Sequence, residues 1–240
     1  MENYLINYLN KRLGEYWKTQ IPGIKTAGPL ITITREVGCG GLSISKQLAE
    51  ELDKTFICKK WQVISKEVLN ESAHELKVAP EKVSRLFTSN EHFTFDEILA
   101  AFTDKYYKSN RVILKTVREV IRNFAVDGYC IIVGRAGHII AADVENSLHI
   151  RLTAPLQWRI SRIAENKNFS ADEAVRYIKE TEEERDIFRK YFTKDKKNEG
   201  SIDLVINVSR FTPEQIVRII VQSFVLKCIP ENIRANVPFV

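Results

Sequence analysis

Leu30-Ile31-Thr32-Ile33-Thr34-Arg35-Glu36-Val37-Gly38-Cys39-Gly40-Gly41-Leu42-Ser43 is the stretch that decides the fold of this chain. Its first five residues are apolar or β-branched, as in a strand. Three glycines in four positions then break it. Ile44, Leu48, Ala49 and Leu52 follow at the spacing of one helical face. The order is strand, glycine turn, helix. Glycines at such a turn let backbone N–H groups point inward together. The helix adds its unpaired first-turn N–H groups and the positive end of its dipole. Gly38, Cys39, Gly40, Gly41, Leu42 and Ser43 are therefore expected to wall an anion-binding cradle. Ser43 falls in the first helical turn, where a hydroxyl reaches a metal ion or a phosphate oxygen.

The turn departs from the phosphate-binding pattern G-x-x-x-x-G-K-[ST], whose lysine reaches the β- and γ-phosphates. Aligned on that pattern's second glycine, Arg35 stands at the first glycine and Gly41 at the lysine. A tight turn with no ligand is the other reading of the same residues. If phosphoryl chemistry occurs here, another cation must replace the lysine. Arg35, at the strand end, and Lys46, one turn into the helix, are the local candidates. Arg35 is preferred because it belongs to the loop.

Outward from this unit, residues 1–28 carry Tyr4, Leu5, Tyr8, Leu9 and Leu13 near helical spacing. They read as an N-terminal helix that caps the domain or forms a homodimer contact. A second strand is expected around Thr55–Cys58. Residues 60–110 are charged and show no strand, which suggests a helical insertion. Alternation then resumes. A helical stripe from Arg111 precedes Cys130-Ile131-Ile132-Val133, an unbroken apolar run suited to a parallel strand buried on both faces. Further strands are expected at Leu148–Leu152 and Leu204–Val208. Helices are expected from Pro155, over Ala171–Phe192, and from Thr212-Pro213-Glu214. The implied fold class is α/β: a parallel five-stranded sheet with helices on both faces, in three layers, with ligands beyond the carboxyl ends of the strands.

The bulk composition narrows the function classes. With 44% hydrophobic and 28% charged residues, disorder is a poor description of the chain as a whole. The net charge of +5 is spread along the sequence and calls for no nucleic acid. Lys194, Lys196 and Lys197 form the densest basic run, either a solvated loop or a phosphate-facing lid. Cys39, Cys58, Cys130 and Cys228 are too dispersed for a metal site or a disulfide framework. With no signal peptide in view, they point to a reducing cytoplasm. No apolar run approaches the roughly 18 residues of a membrane span.

Four stretches together resemble the cytidylate kinase-like family, a divergent branch of the nucleoside monophosphate kinases, over about residues 30–225. They are Ile33-Thr34-Arg35-Glu36 with Gly38-Cys39-Gly40-Gly41; Ile131-Ile132-Val133-Gly134-Arg135; Ala154-Pro155-Leu156 with Arg159, Arg162, Glu182 to Arg185 and Tyr191-Phe192; and Ile202-Asp203-Leu204-Val205-Ile206-Asn207. The resemblance implies a P-loop kinase-like domain over 29–226, with an acceptor-binding insert at about 57–110 and a lid at about 159–200. Residues 1–28 and 227–240 are then extensions. It implies ATP and Mg2+ as cofactors, with Ser43 on the metal side. Gly38, Gly40, Gly41 and Ser43 would surround the donor phosphates, and Arg135 would face the acceptor phosphate. Arg159 and Arg162 would face the donor site, or pair with surface acids such as Glu165. Arg185 and Arg189 would belong to a mobile lid, or pair along their own helix with Glu182, Glu183, Glu184 and Asp186. Arg35, Arg135 and Arg185 are the expected catalytic cations.

Two departures bear on the substrate. Val133 stands where true cytidylate kinases carry an acid, and Cys58-Lys59-Lys60 where the divergent branch tends to have an aspartate. Cys39 in the cradle is either a small residue in place of serine or a thiol of lowered pKa. The leading expectation is ATP-dependent phosphoryl transfer to CMP or dCMP. The alternatives are a nucleotide-binding regulatory module and a kinase of another small-molecule acceptor.

Overall fold

The computed structural model describes residues 29–56, 60–65, 111–193 and 202–229. The N-terminal helix, the 66–110 part of the insertion, the lysine run, Cys58-Lys59 and residues 230–240 lie outside them. The chain divides into two compact units, Met1–Thr26 with Ile64–Val120, and Ala27–Val63 with Ile121–Val240. Of the first, the described part is Ile64, Ser65 and residues 111–120. The second carries the site and all of the sheet but Ile64.

Among the described residues the strands are β1 (Leu30–Arg35), β2 (Gln62–Ile64), β3 (Cys130–Val133), β4 (Ser147–Thr153) and β5 (Leu204–Asn207). The helices are α1 (Gly41–Thr55), α2 (Arg111–Asp127), α3 (Gly137–Ile140), α4 (Leu156–Lys167), α5 (Ala171–Thr193) and α6 (Pro213–Cys228). The five strands are ordered β2-β3-β1-β4-β5. β1 pairs parallel with β3 and β4, and β4 with β5.

Register explains the two helical layers. Ile31 stands beside Ile131 and Leu148, and Ile33 beside Val133 and Ile150. These residues form one apolar face, covered by Ile44, Leu48 and Leu52 of α1 and Ile216, Ile220 and Phe224 of α6. α6 starts where the sequence places it, with a capping box between Thr212 and Gln215 and proline in the first turn.

The next row, Ile132-Thr32-His149, faces the other way. α3 lies there, so close that a Cβ on Gly137 would stand 2.8 Å from Ile132 Cγ2. This row is polar. His149 Nδ1 lies 2.8 Å from Thr32 Oγ1, and His149 Nε2 lies 3.1 Å from Ser147 Oγ. The Ser147 hydroxyl donates to Val144 O at 2.6 Å, so towards His149 it accepts. His149 is therefore the Nε2–H tautomer, and Thr32 donates to Nδ1. Asp203 closes the row's lower end: it accepts from His149 N at 2.7 Å and pairs with Lys227 of α6 at 2.5 Å.

Burial lowers the pKa of both histidines on this side, that of His138 to about 4, and Arg189 and Arg151 add to the shift at His138. An unfolded histidine binds its proton below about 6.5, whereas the folded His138 stays neutral until about 4. The two histidines therefore add no pH dependence to stability above neutrality. Stability should fall as pH drops from 6.5 towards 5, by up to about 1.4 kcal/mol per pH unit for each histidine. Urea unfolding at pH 7.5, 6.0 and 5.0 checks this, and His138→Gln should flatten the slope. A slope of the opposite sign, or one unchanged in the variant, would contradict it.

Two expectations need correction. Of the strand expected at Thr55–Cys58, the described residues Thr55 and Phe56 are not strand, and residues 57 and 58 lie outside the described ones: α1 runs through Thr55, whose hydroxyl bonds Glu51 O in the last turn at 2.8 Å. The strand is Gln62–Ile64, inside the stretch read as strandless. It is only three residues long, and Trp61, held by Asp53 Oδ1 at 2.6 Å, leads into it. The last strand ends at Asn207, where its side chain starts a 3-10 turn. α3 was not foreseen, because four residues carry no helical period.

Candidate functional site

The glycine loop follows β1, the turn Gly134-Arg135-Ala136 follows β3, and Ala154-Pro155 follows β4. Parallel pairing brings these ends to one edge of the sheet. α1 begins after Gly40, which is left-handed (φ 66), with no side-chain cap and no acid in the first turn. An uncapped, acid-free helix start suits an anion. Ser45 is turned inward onto Gly41 O at 2.6 Å, whereas Ser43 is exposed. In the register of the lysine-bearing pattern, the hydroxyl position itself is Leu42, which packs against the core.

Gly38 shows why glycine is needed. Its φ is +93, and a Cβ there would stand 3.1 Å from Arg159 Cβ and 3.2 Å from that residue's Cα and carbonyl oxygen. The loop thus rests directly on the first turn of α4. Arg162, one turn on, brings Nη2 to 3.7 Å from where a Cβ of Gly40 would be, with its guanidinium 4.8 Å over the Trp158 ring.

Arg35 occupies the centre. Its stem lies along Gly41, where a Cβ would be 3.0 Å from Arg35 Cγ and 3.2 Å from Cδ. Its guanidinium lies on Gly134, where a Cβ would be 3.1 Å from Cζ and would overlap Nη1. One arginine therefore stretches from the start of α1 to the end of β3. Gly134, Arg135 and Ala136 all have positive φ (77, 51 and 54). For the two non-glycine residues that costs about 1 kcal/mol each or more. The turn leaves the Arg135 guanidinium 5.3 Å over the Phe188 ring of α5.

The remaining arginines divide by role. Arg159 is 7% exposed and turned into the protein. It donates to Ala154 O (3.1 Å) and Val37 O (3.3 Å), pairs with Glu182 (2.6 Å) and lies 3.5 Å from Glu36. These contacts tie it to loop and helix groups, not to Glu165. Arg185 donates to Arg35 O at 3.1 Å. Arg189 pairs along its own helix with Asp186 at 3.2 Å.

In the sequence reading Glu36 had no role, and Glu182 only that of a partner for the arginines of its own helix. Glu36 staples the loop to β4: its carboxylate accepts from Ala154 N at 3.1 Å and lies 3.7 Å from Arg151. The available signal was a carboxylate inside an anion-binding turn, which requires a cationic partner nearby. Cys39 is 1% exposed, and burial raises its thiol pKa to about 11. Burial and the neighbouring Glu36 carboxylate both favour the neutral thiol, which supports the reading of Cys39 as a small buried residue in place of serine. Among the described residues, no helix is long and apolar enough to cross a membrane.

The chain is similar in sequence and fold to known proteins. The model of the cytidylate kinase-like family matches residues 30–210. A cytidylate kinase of Ignicoccus hospitalis is 28% identical over 192 residues, covering 80% of this chain and 96% of that protein. A cytidylate kinase of Sulfolobus acidocaldarius is 40% identical over 76 residues, 31% of this chain and 42% of that protein. The crystal structure of an uncharacterized protein from Eubacterium ventriosum superposes with a TM-score of 0.56 at 21% identity, covering 82% of this chain and 97% of that one.

Proposed function

This chain belongs to the cytidylate kinase-like family, and from that premise we propose that it transfers a phosphoryl group from ATP to a nucleoside monophosphate, CMP or dCMP, through a loop in which Arg35 replaces the lysine. The observation that carries this reading is the path of Arg35 from Gly41 to Gly134. It joins the cradle, where a donor's phosphates would lie, to the turn that holds Arg135, where an acceptor phosphate would lie.

When bound, ATP would supply the transferred group and Mg2+ would offset the charge of its phosphates. The chain's own residues bind and align. Backbone amides at the start of α1 hold phosphate oxygens. Ser43, the exposed hydroxyl of that turn, would be the residue on the metal side. Arg35 neutralises charge at the transferred group, and Arg135 holds the acceptor by a bidentate contact. Arg162, stacked on Trp158, lines the donor side of the loop. Arg185 fixes the Arg35 carbonyl, and Arg189 lies farther along α5. Positioning and charge neutralisation suffice for phosphoryl transfer, which needs no covalent intermediate.

The test is transfer from radiolabelled ATP to CMP, dCMP, UMP, AMP and GMP with Mg2+ present. CMP or dCMP should be phosphorylated fastest. ATP binding without turnover on any acceptor would point to a regulatory module. Turnover only on non-nucleotide acceptors would point to another small-molecule kinase.

A further inference from the structure

One stripe of α5 runs along the whole site. Ala174 and Ile178 pack with Val37. Glu182 and Arg185 then reach the loop backbone, and Phe188 lies under Arg135. These residues recur every three or four positions, the spacing of a single helical face. Glu182 makes the tightest of these contacts. Its Oε1 accepts from Val37 N at 3.2 Å and from Arg159 Nη1 at 2.6 Å. The same Arg159 Nη1 donates to Val37 O at 3.3 Å. Both backbone groups of Val37 are thus held, its N–H by Glu182 and its carbonyl by Arg159.

We propose that Glu182 is a positioning residue for the phosphate loop: through the Val37 amide and Arg159 it sets the shape in which Arg35 and the glycine turn meet phosphate. This rests on the reading of the loop as a phosphate cradle. Two residues flank the grip. Arg35 has its carbonyl held by Arg185, three residues along from Glu182. Gly38, on the other side, rests against the backbone of Arg159. A carboxylate beside an anion site is costly unless neutralised. Here Glu182 and Glu36 are matched by Arg159 and Arg151.

Three variants separate hydrogen bonding from charge. Glu182→Gln keeps an oxygen that accepts from both donors. Glu182→Ala removes it. Glu182→Asp keeps the charge but is one methylene too short to serve both. Binding of inorganic tripolyphosphate and of ATP is measured by titration calorimetry. The Ala and Asp variants should bind both about tenfold more weakly, and the Gln variant should stay within about threefold of wild type. In turnover the loss should appear in KM for ATP, with kcat within about threefold. An Ala or Asp variant that binds like wild type overturns the inference and leaves the cradle standing. A Gln variant as weak as the Ala variant also overturns it, since charge would then be the agent. Wild-type protein that binds neither probe removes the cradle reading, and this inference with it.

Discussion

Arg35→Ala is expected to lower kcat/KM for phosphoryl transfer by about a thousandfold, and Arg35→Lys to recover part of that loss. Removing one preorganised group that stabilises developing charge typically costs about 10²–10³ in rate. Arg35 carries more than a usual share, because the loop's other cation position is a glycine. Its guanidinium lies where the cradle and the Gly134 turn approach each other. Lysine restores a positive charge but not a planar fork, so its rescue should be partial. The contact from Arg185 survives in the alanine variant, since it is made to the backbone carbonyl of residue 35. Steady-state kinetics with ATP varied at saturating CMP measures the effect. An alanine variant within threefold of wild type would remove Arg35 from the chemistry.

Gly41→Lys, which rebuilds the usual pattern, should lower activity rather than raise it, by about a hundredfold. Gly41 is not among the positive-φ glycines, so a side chain meets no backbone strain there. What it meets is Arg35: a Cβ would stand 3.0 Å from Cγ and 3.2 Å from Cδ, tighter than ordinary contact. Because those atoms belong to a flexible side chain, Arg35 would move and its guanidinium would leave Gly134. The two substitutions should then be strongly non-additive. In an Arg35→Ala background the space is vacant, and Gly41→Lys should raise activity about tenfold, the direction opposite to its effect alone. A lysine that raises activity in the wild-type background would show that the arginine does not stand in for it.

Much of this was legible in the sequence for physical reasons. β1 and β3 are unbroken apolar or β-branched runs, and such runs have few alternatives to a buried parallel strand. α6 announces itself by Thr212-Pro213-Glu214, a local signal that tertiary contacts had no reason to override. β2 was missed because three residues are too few to show a period. In the site, Arg35 was legible because the loop lacks its lysine. The inward turn of Arg159 was not. Its position beside Arg162 on α4 is equally consistent with facing a ligand, and only packing under Gly38 decides the matter. Glu36 and Glu182 were opaque for the same reason: their partners lie 118 and 145 residues away in sequence.

The most direct measurement is a crystal structure of the protein with ADP, Mg2+ and CMP. The Arg35 guanidinium should lie within hydrogen-bond distance of phosphate oxygens, with the donor's β-phosphate on the amides that open α1. A structure in which those amides hold no phosphate, or in which Arg35 stays on Gly134 while another cation meets the nucleotide, would contradict the role assigned to it.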